Sequence, residues 1–445
     1  MTNISSFCLV FSTLLTIFNP ISALKSCEFP AIFNFGDSNS DTGGFVASFP
    51  PLNPPYGETY FRMPAGRFSD GRLIIDFVGK TVAAYADYNL GFHLCHAERG
   101  EEGEEGGCKL KEETDTKGRR GRMQEESQET DTERRRGMMK IEAKSLNLSF
   151  LSAYLDSLGT NFTVGANFAT ASSTITLPAR IIPANNGFSP FYFLVQYNQF
   201  EQLKARSQLI RKQGGVFARL MPKKEYFQKA LYTFDIGQND LGAGFFGNKS
   251  VEEVNASVPI IVNTFLTDVK SIYNSGARSF WIHNTGPIGC LGYILANFPS
   301  AEKDSVGCAK SYNEVAQYFN YELKETVLHL RRVFPSAAFT YVDVYSVKYS
   351  LFSEPKKHGF ELPLVACCGS GGMYNYNSSA GCGATITVNG TQITVGSCDD
   401  PSVRVVWDGI HYTDAANKFV FEQISTGAFS DPPIPLKMAC HRTVG

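Results

Sequence analysis

The chain has 445 residues, 43% of them hydrophobic and 13% aromatic, which is enough for one large core or two ordinary ones. Its formal net charge of −2 gives no electrostatic footing for a nucleic acid or an anionic membrane as partner.

The first segment, MTNISSFCLVFSTLLTIFNPISALKS, has an apolar core from Phe7 to Phe18 and small residues at Ser22 and Ala23. That core is too short to cross a bilayer, so residues 1–25 read as a secretory signal peptide, although no Lys or Arg precedes the core. No later run of 18 apolar residues occurs, and no transmembrane segment is expected. Next, AIFNF (31–35) reads as a buried strand that stops at Gly36 and gives way to DSNSDT. Ser38 follows that strand closely, where unpaired N–H groups can accompany a nucleophilic hydroxyl. On this stretch alone a helix N-cap is the simpler reading.

SDGRLIIDFV (69–78) has the spacing of a helix capped by Ser69 or Asp70, with Leu73, Ile74, Phe77 and Val78 on one face. The pattern then breaks down between residues 79 and 142. From Glu98 to Glu142, 25 of 45 residues are charged, against 59 of the other 400. Such a stretch has little to bury and is expected to be disordered. Joining Val78 directly to Ala143 would put Leu146 four places after Val78 and continue the helix face. The segment therefore reads as a retained intron or gene-model error that interrupts one domain running from 29 to 445. An acidic and basic interaction loop is the weaker reading, and HLCH within it makes a poor metal site.

VGANFATASST follows, where Gly165 could let a backbone N–H approach a substrate oxygen. ALYTFDI (230–236), SFWIHN (279–284) and AFTYVDV (338–344) read as further buried strands. Helical patterns run from Gln196 to Lys212, Val251 to Ser275 and Ala309 to Val333. This alternation predicts an α/β fold with a parallel sheet covered on both faces, whose ligands gather at the carboxyl ends of the strands. At one such end DIGQND offers Asn239 as a second oxyanion donor.

A nucleophilic serine needs a base, and the chain has seven histidines. His93 and His96 fall in the charged segment, His283 ends a strand, His329 and His358 sit among charges, and His441 is nearly terminal. His411 differs, since WDGIHYTDAAN sets Asp408 three residues before it, between an apolar run and an amphipathic helix. An Asp so placed can orient the imidazole, and a helix-entry turn is about as good a reading of the motif alone. Eight cysteines remain outside the leader and the charged segment: Cys27, Cys290, Cys308, Cys367, Cys368, Cys382, Cys398 and Cys440. The even number reads as disulfides of open connectivity, and no paired C-x-x-C spacing suggests a metal site. Six N-x-[ST] acceptors, at Asn147, Asn161, Asn248, Asn255, Asn377 and Asn389, agree with a secreted glycoprotein of the extracellular space or cell wall.

In their order, FNFGDSNSDTGG, GANFATASSTI, DIGQND and WDGIHYTDAAN resemble the GDSL esterase/lipase family of plants, within the SGNH hydrolase superfamily. NTGPIGC and CCGSGGMYN are similar to family sequence too, and the secreted branch with early nodulin-like and acetyl-esterase-like proteins matches best. The resemblance implies a three-layer α/β/α, flavodoxin-like fold around a central parallel sheet. It implies Ser38 as nucleophile, His411 as base and Asp408 as its orienting carboxylate. Ser38, Gly165 and Asn239 would form the oxyanion hole, with no cofactor or metal. The substrate would be a small-molecule or glycan-linked ester cleaved through an acyl-enzyme. Asn39 stands where the family has leucine, and residues 79–142 depart from the family pattern. The rivals are an α/β-hydrolase or serine protease, against which the absence of G-x-S-x-G speaks, and an inactive defence or carbohydrate-binding glycoprotein.

Overall fold

Alternation along a strand sends successive side chains to opposite faces, and here the two faces differ in kind. In the computed structural model, which describes residues 26–79, 149–156, 160–184 and 187–441, the first strand β1 is Ile32–Gly36. The expected signal peptide and nearly all of the charged segment 79–142 lie outside the described residues. Helix α1 (Ile74–Gly79) and the short strand β2 (Gly165–Asn167) flank that gap. Then come α2 (Phe193–Gln213), β3 (Leu231–Asp235), α3 (Gln238–Phe246), α4 (Val251–Asn274) and β4 (Ser279–His283). The order continues with α5 (Lys310–Val333), β5 (Ala338–Val342), α6 (Val344–Ser353) and the hairpin β6 (Thr385–Val388) and β7 (Thr391–Thr394). Helix α7 (Asp414–Ile424), β8 (Ser430–Asp431) and a 3-10 turn at Leu436–Met438 follow.

The main sheet has the order β2-β1-β3-β4-β5-β8, parallel except for β8, which pairs antiparallel with β5. Phe35, Phe234, Phe280 and Phe339 stack across neighbouring strands, with centroids 5.4, 6.2 and 4.4 Å apart in turn. Phe193 and Phe200 of α2 meet this face edge-on, and α4 packs between α2 and α5. On the other face Asn34, Thr233 and Trp281 lie against Ile74, Ile75 and Val78 of α1, with α7 packed between α1 and α6. Helices on both faces of the sheet make three layers, the α/β/α arrangement expected from the alternation.

All eight cysteines pair, as Cys27–Cys440, Cys290–Cys308, Cys367–Cys398 and Cys368–Cys382. The expected helix over 69–78 is corrected at its start. It begins at Ile74, and the carboxylate of Asp76 accepts the Leu73 N–H at 3.0 Å. Asp70 instead reaches across the fold and accepts the Asp414 N–H at the start of α7, at 2.7 Å.

Candidate active site

β1 ends in a tight corner. A side chain at Gly36 would run into Ser40 Oγ and the Asp235 carbonyl, so only glycine fits there. Gln196 of α2 clamps the corner by pairing with both the N–H and the carbonyl of Gly36, at 2.9 and 2.8 Å. The chain then turns through Asp37 to Ser40, where the Ser40 N–H returns to the Asp37 carbonyl at 3.1 Å. Ser38 sits at the crest, 5% exposed. Neither its N–H nor its Oγ carries a hydrogen bond to another described residue. Asp37 carries less charge than its formal one, since burial and then the charge of Asp235 push it up to about 7. Asp235 goes the other way: the His283 hydrogen bond and charge, with Lys348, outweigh its burial.

A second loop, 168–176, leans on this turn. The Thr170 N–H donates to the Gly36 carbonyl at 3.3 Å and the Ala171 N–H to Asp41 Oδ2 at 2.8 Å. Asp41 also accepts the N–H groups of Gly43, Gly44 and Phe45, so one buried carboxylate holds the two loops in register. Asn239, in the first turn of α3, donates one amide hydrogen to the Ser173 carbonyl at 2.9 Å, leaving the other free to reach a ligand. The next residue, Asp240, accepts the N–H groups of Ile175 and Thr176 and so ties this loop to α3.

Gly165 does not join the group, and the expectation that it supplies an oxyanion donor is corrected. It pairs in register with Ile32 at the start of β1, about 13 Å of strand before Gly36 at ~3.3 Å per residue. Its N–H is already spent on the Phe162 carbonyl, and it is glycine because a Cβ there would strike the Ile32 carbonyl. The residue that fits the role better is Ser172, which sequence reasoning missed. It lies in the loop that Thr170 and Ala171 fasten to Gly36 and Asp41, at φ 61°, and its N–H donates to no described residue. A left-handed serine leaves no mark in a single sequence.

Asp408 and His411 lie on a short hairpin closed by Val406 and Tyr412. Asp408 Oδ1 accepts the N–H groups of Ile410 and His411 at 3.0 and 2.9 Å, and Oδ2 lies 2.7 Å from His411 Nδ1. With the Nδ1 proton directed at the carboxylate, Nε2 is left as a base. Burial drives Asp408 up, but the charge and hydrogen bonds of His411 outweigh it and hold the carboxyl below its usual range. Phe68 lies 5.1 Å from the imidazole and 5.5 Å from Phe45, linking the hairpin to the Ser38 turn. Asp37 also feels the charge of His411 directly. One end of the sheet thus gathers a free hydroxyl, an oriented imidazole, and free N–H donors on two loops. Among the described residues no cluster of metal-ligating side chains occurs.

A largely parallel sheet between two helical layers, with its polar groups at the carboxyl edge, is the fold of the SGNH hydrolases. A family model described as GDSL-like lipase/acylhydrolase matches residues 128–424, which include Asn239, Asp408 and His411. The chain is 56% identical over 436 residues to a protein named "Esterase" from Hevea brasiliensis, covering 98% of this chain and 95% of that one. It is 52% identical to a GDSL esterase/lipase of Medicago truncatula, covering 96% and 94% of the two chains. A protein of Arabidopsis thaliana named "Alpha-L-fucosidase 3" is 44% identical, over 97% of each. The chain belongs to the GDSL lipase/acylhydrolase family and is a carboxylic ester hydrolase.

Proposed function

We propose that this protein is a secreted serine esterase that works through an acyl-enzyme on Ser38. Ser38 Oγ attacks the ester carbonyl while His411 Nε2 takes its proton, and Asp408 stabilises the imidazolium. The Ser38 and Ser172 N–H groups and the Asn239 amide hold the oxyanion. The imidazolium then protonates the leaving alcohol, and water repeats the cycle to free the acid. The observation that carries this reading is the 2.7 Å contact of Nδ1 with Asp408, which leaves Nε2, without a hydrogen bond to a described residue, to act as the base.

Secretion is supported by the four disulfides and by exposed sequons at Asn161, Asn248, Asn377 and Asn389. Asn255 lies half-buried within α4 and is a poorer acceptor. No described helix is long and apolar enough to cross a membrane. A cleft of about 510 Å³ of mixed polar and apolar lining, between residues 174–180, α3 and α4, adjoins Asn239 through Asp240 and offers room for part of the substrate.

A fluorophosphonate probe tests the mechanism. The protein should label at Ser38, and Ser38→Ala should lose labelling and ester turnover together. Persistent labelling of that variant refutes the nucleophile. A panel of p-nitrophenyl esters across acyl length, with a p-nitrophenyl fucoside beside them, reads the substrate class.

A further inference from the structure

Asp408 has one more donor than the hairpin supplies. The phenol of Tyr56 donates to Asp408 Oδ2 at 2.9 Å, the oxygen that also receives the His411 Nδ1 proton. Tyr56 lies 352 residues away in sequence, in the loop that leads to α1, and is 9% exposed. Its hydroxyl has little freedom to leave. The ring meets Trp407 and Phe68 edge-on, with centroids 6.1 and 6.0 Å away, and packs in a separate small cluster with Cys367 and Cys368. Those two cysteines also donate their N–H groups to the carbonyls of Val406 and Trp407, and each closes a disulfide. Burial and then the Asp408 charge keep the phenol protonated, so it acts only as a donor here.

We propose that Tyr56 is a positioning residue for the hydrolytic reaction, acting on His411 through Asp408. The inference rests on the reading of Asp408 and His411 given above. With Oδ1 held by two backbone N–H groups, the phenol fixes the rotation of the carboxylate plane. The phenol and the imidazole thereby share one carboxylate oxygen. Of the other titratable groups facing this pair, Asp37 acts on the His411 charge and Tyr376 lies within electrostatic reach of Asp408; neither hydrogen-bonds Asp408. Phe68 covers the imidazole ring and carries no charge.

The test is the pH profile of kcat/KM for p-nitrophenyl acetate in the wild type, Tyr56→Phe and His411→Ala. Tyr56→Phe keeps the ring and removes only the donor. Its rate at pH 7 should fall about tenfold, as for loss of a hydrogen bond to a charged group. Its acid limb should move to higher pH, because the unrelieved carboxylate holds the imidazolium proton more tightly. The thermal midpoint should hold within a few degrees. Site-specific 3-fluorotyrosine at position 56, a stronger donor of nearly the same size, should shift the limb to lower pH and serves if the phenylalanine variant folds poorly. An unmoved acid limb in both variants, in an enzyme that His411→Ala inactivates, overturns the role of Tyr56. A His411→Ala variant with full activity overturns the underlying function as well.

Discussion

Ser172 holds φ at 61°, a conformation that costs a residue with a Cβ about 1 kcal/mol. The loop tolerates this because Asp41, Asp240 and Asn239 each fasten a neighbouring residue. Ser172→Gly should therefore raise stability by about 0.5 kcal/mol, the relief of strain being partly offset by glycine's greater freedom when unfolded. Its esterase rate should stay close to wild type, because the N–H remains in place. Thermal melts with parallel rates check this; a drop in midpoint would mean that the serine hydroxyl matters more than its backbone. The same position shows the limit of reading residue types. Gly165 attracts attention for its missing Cβ, but what the oxyanion needs is a free N–H beyond the strand's carboxyl end. Asn239 and the Asp408–His411 pair stood out as candidates because each closely follows an apolar run, although the run before Asp408 forms only the isolated bridge Val406–Tyr412. Tyr56 did not, since its partner lies 352 residues away.

The two longest periodic helices were readable almost to the residue. The pattern expected from Val251 to Ser275 is α4 at Val251–Asn274, opened by a capping box between Ser250 and Glu253, and the one from Ala309 is α5 at Lys310–Val333. β2 and β8 escaped because three- and two-residue edge strands have no period to detect. α1 is the exception among the helices. All six of its described residues, Ile74–Gly79, are buried, and the helix starts five residues later than the pattern from Ser69 suggests. Joined directly to Ala143, Val78 would continue the apolar face of α1 through Leu146. We expect deletion of residues 79–142, joining Val78 to Ala143, to extend α1 and raise both soluble yield and thermal midpoint. Far-ultraviolet circular dichroism and a melt of the two chains measure this. Equal midpoints and equal helix content would show that the segment does not interrupt anything, and abundant transcript encoding it would remove the case for a retained intron.

The whole molecule carries an unusual load of buried acid at the ligand-binding end of its sheet. Burial pushes Asp37 up to about 7 and Asp41, Asp70 and Asp240 each up to about 6, in spite of the hydrogen bonds they accept. A carboxyl whose folded value lies above its unfolded value binds its proton more tightly when folded. Its contribution to stability is full below about pH 4 and is lost as the pH rises through 6 to 7. Asp408 and Asp235 are lowered, so theirs is present above about pH 4 and lost only in stronger acid. The two trends leave a window in mild acid where both sets favour the fold, and the disulfide between Cys27 and Cys440 fastens the two ends of the described chain throughout. The thermal midpoint should therefore peak between about pH 4 and 6 and decline by pH 8, a range that suits the proposed site in the cell wall. Asp37→Asn removes one of these groups and should gain on the wild type steadily as pH rises, with little difference at pH 4. If the two proteins differ by a constant amount from pH 4 to 8, ionisation of Asp37 does not govern the decline, and the cause lies in groups away from the Ser38 turn.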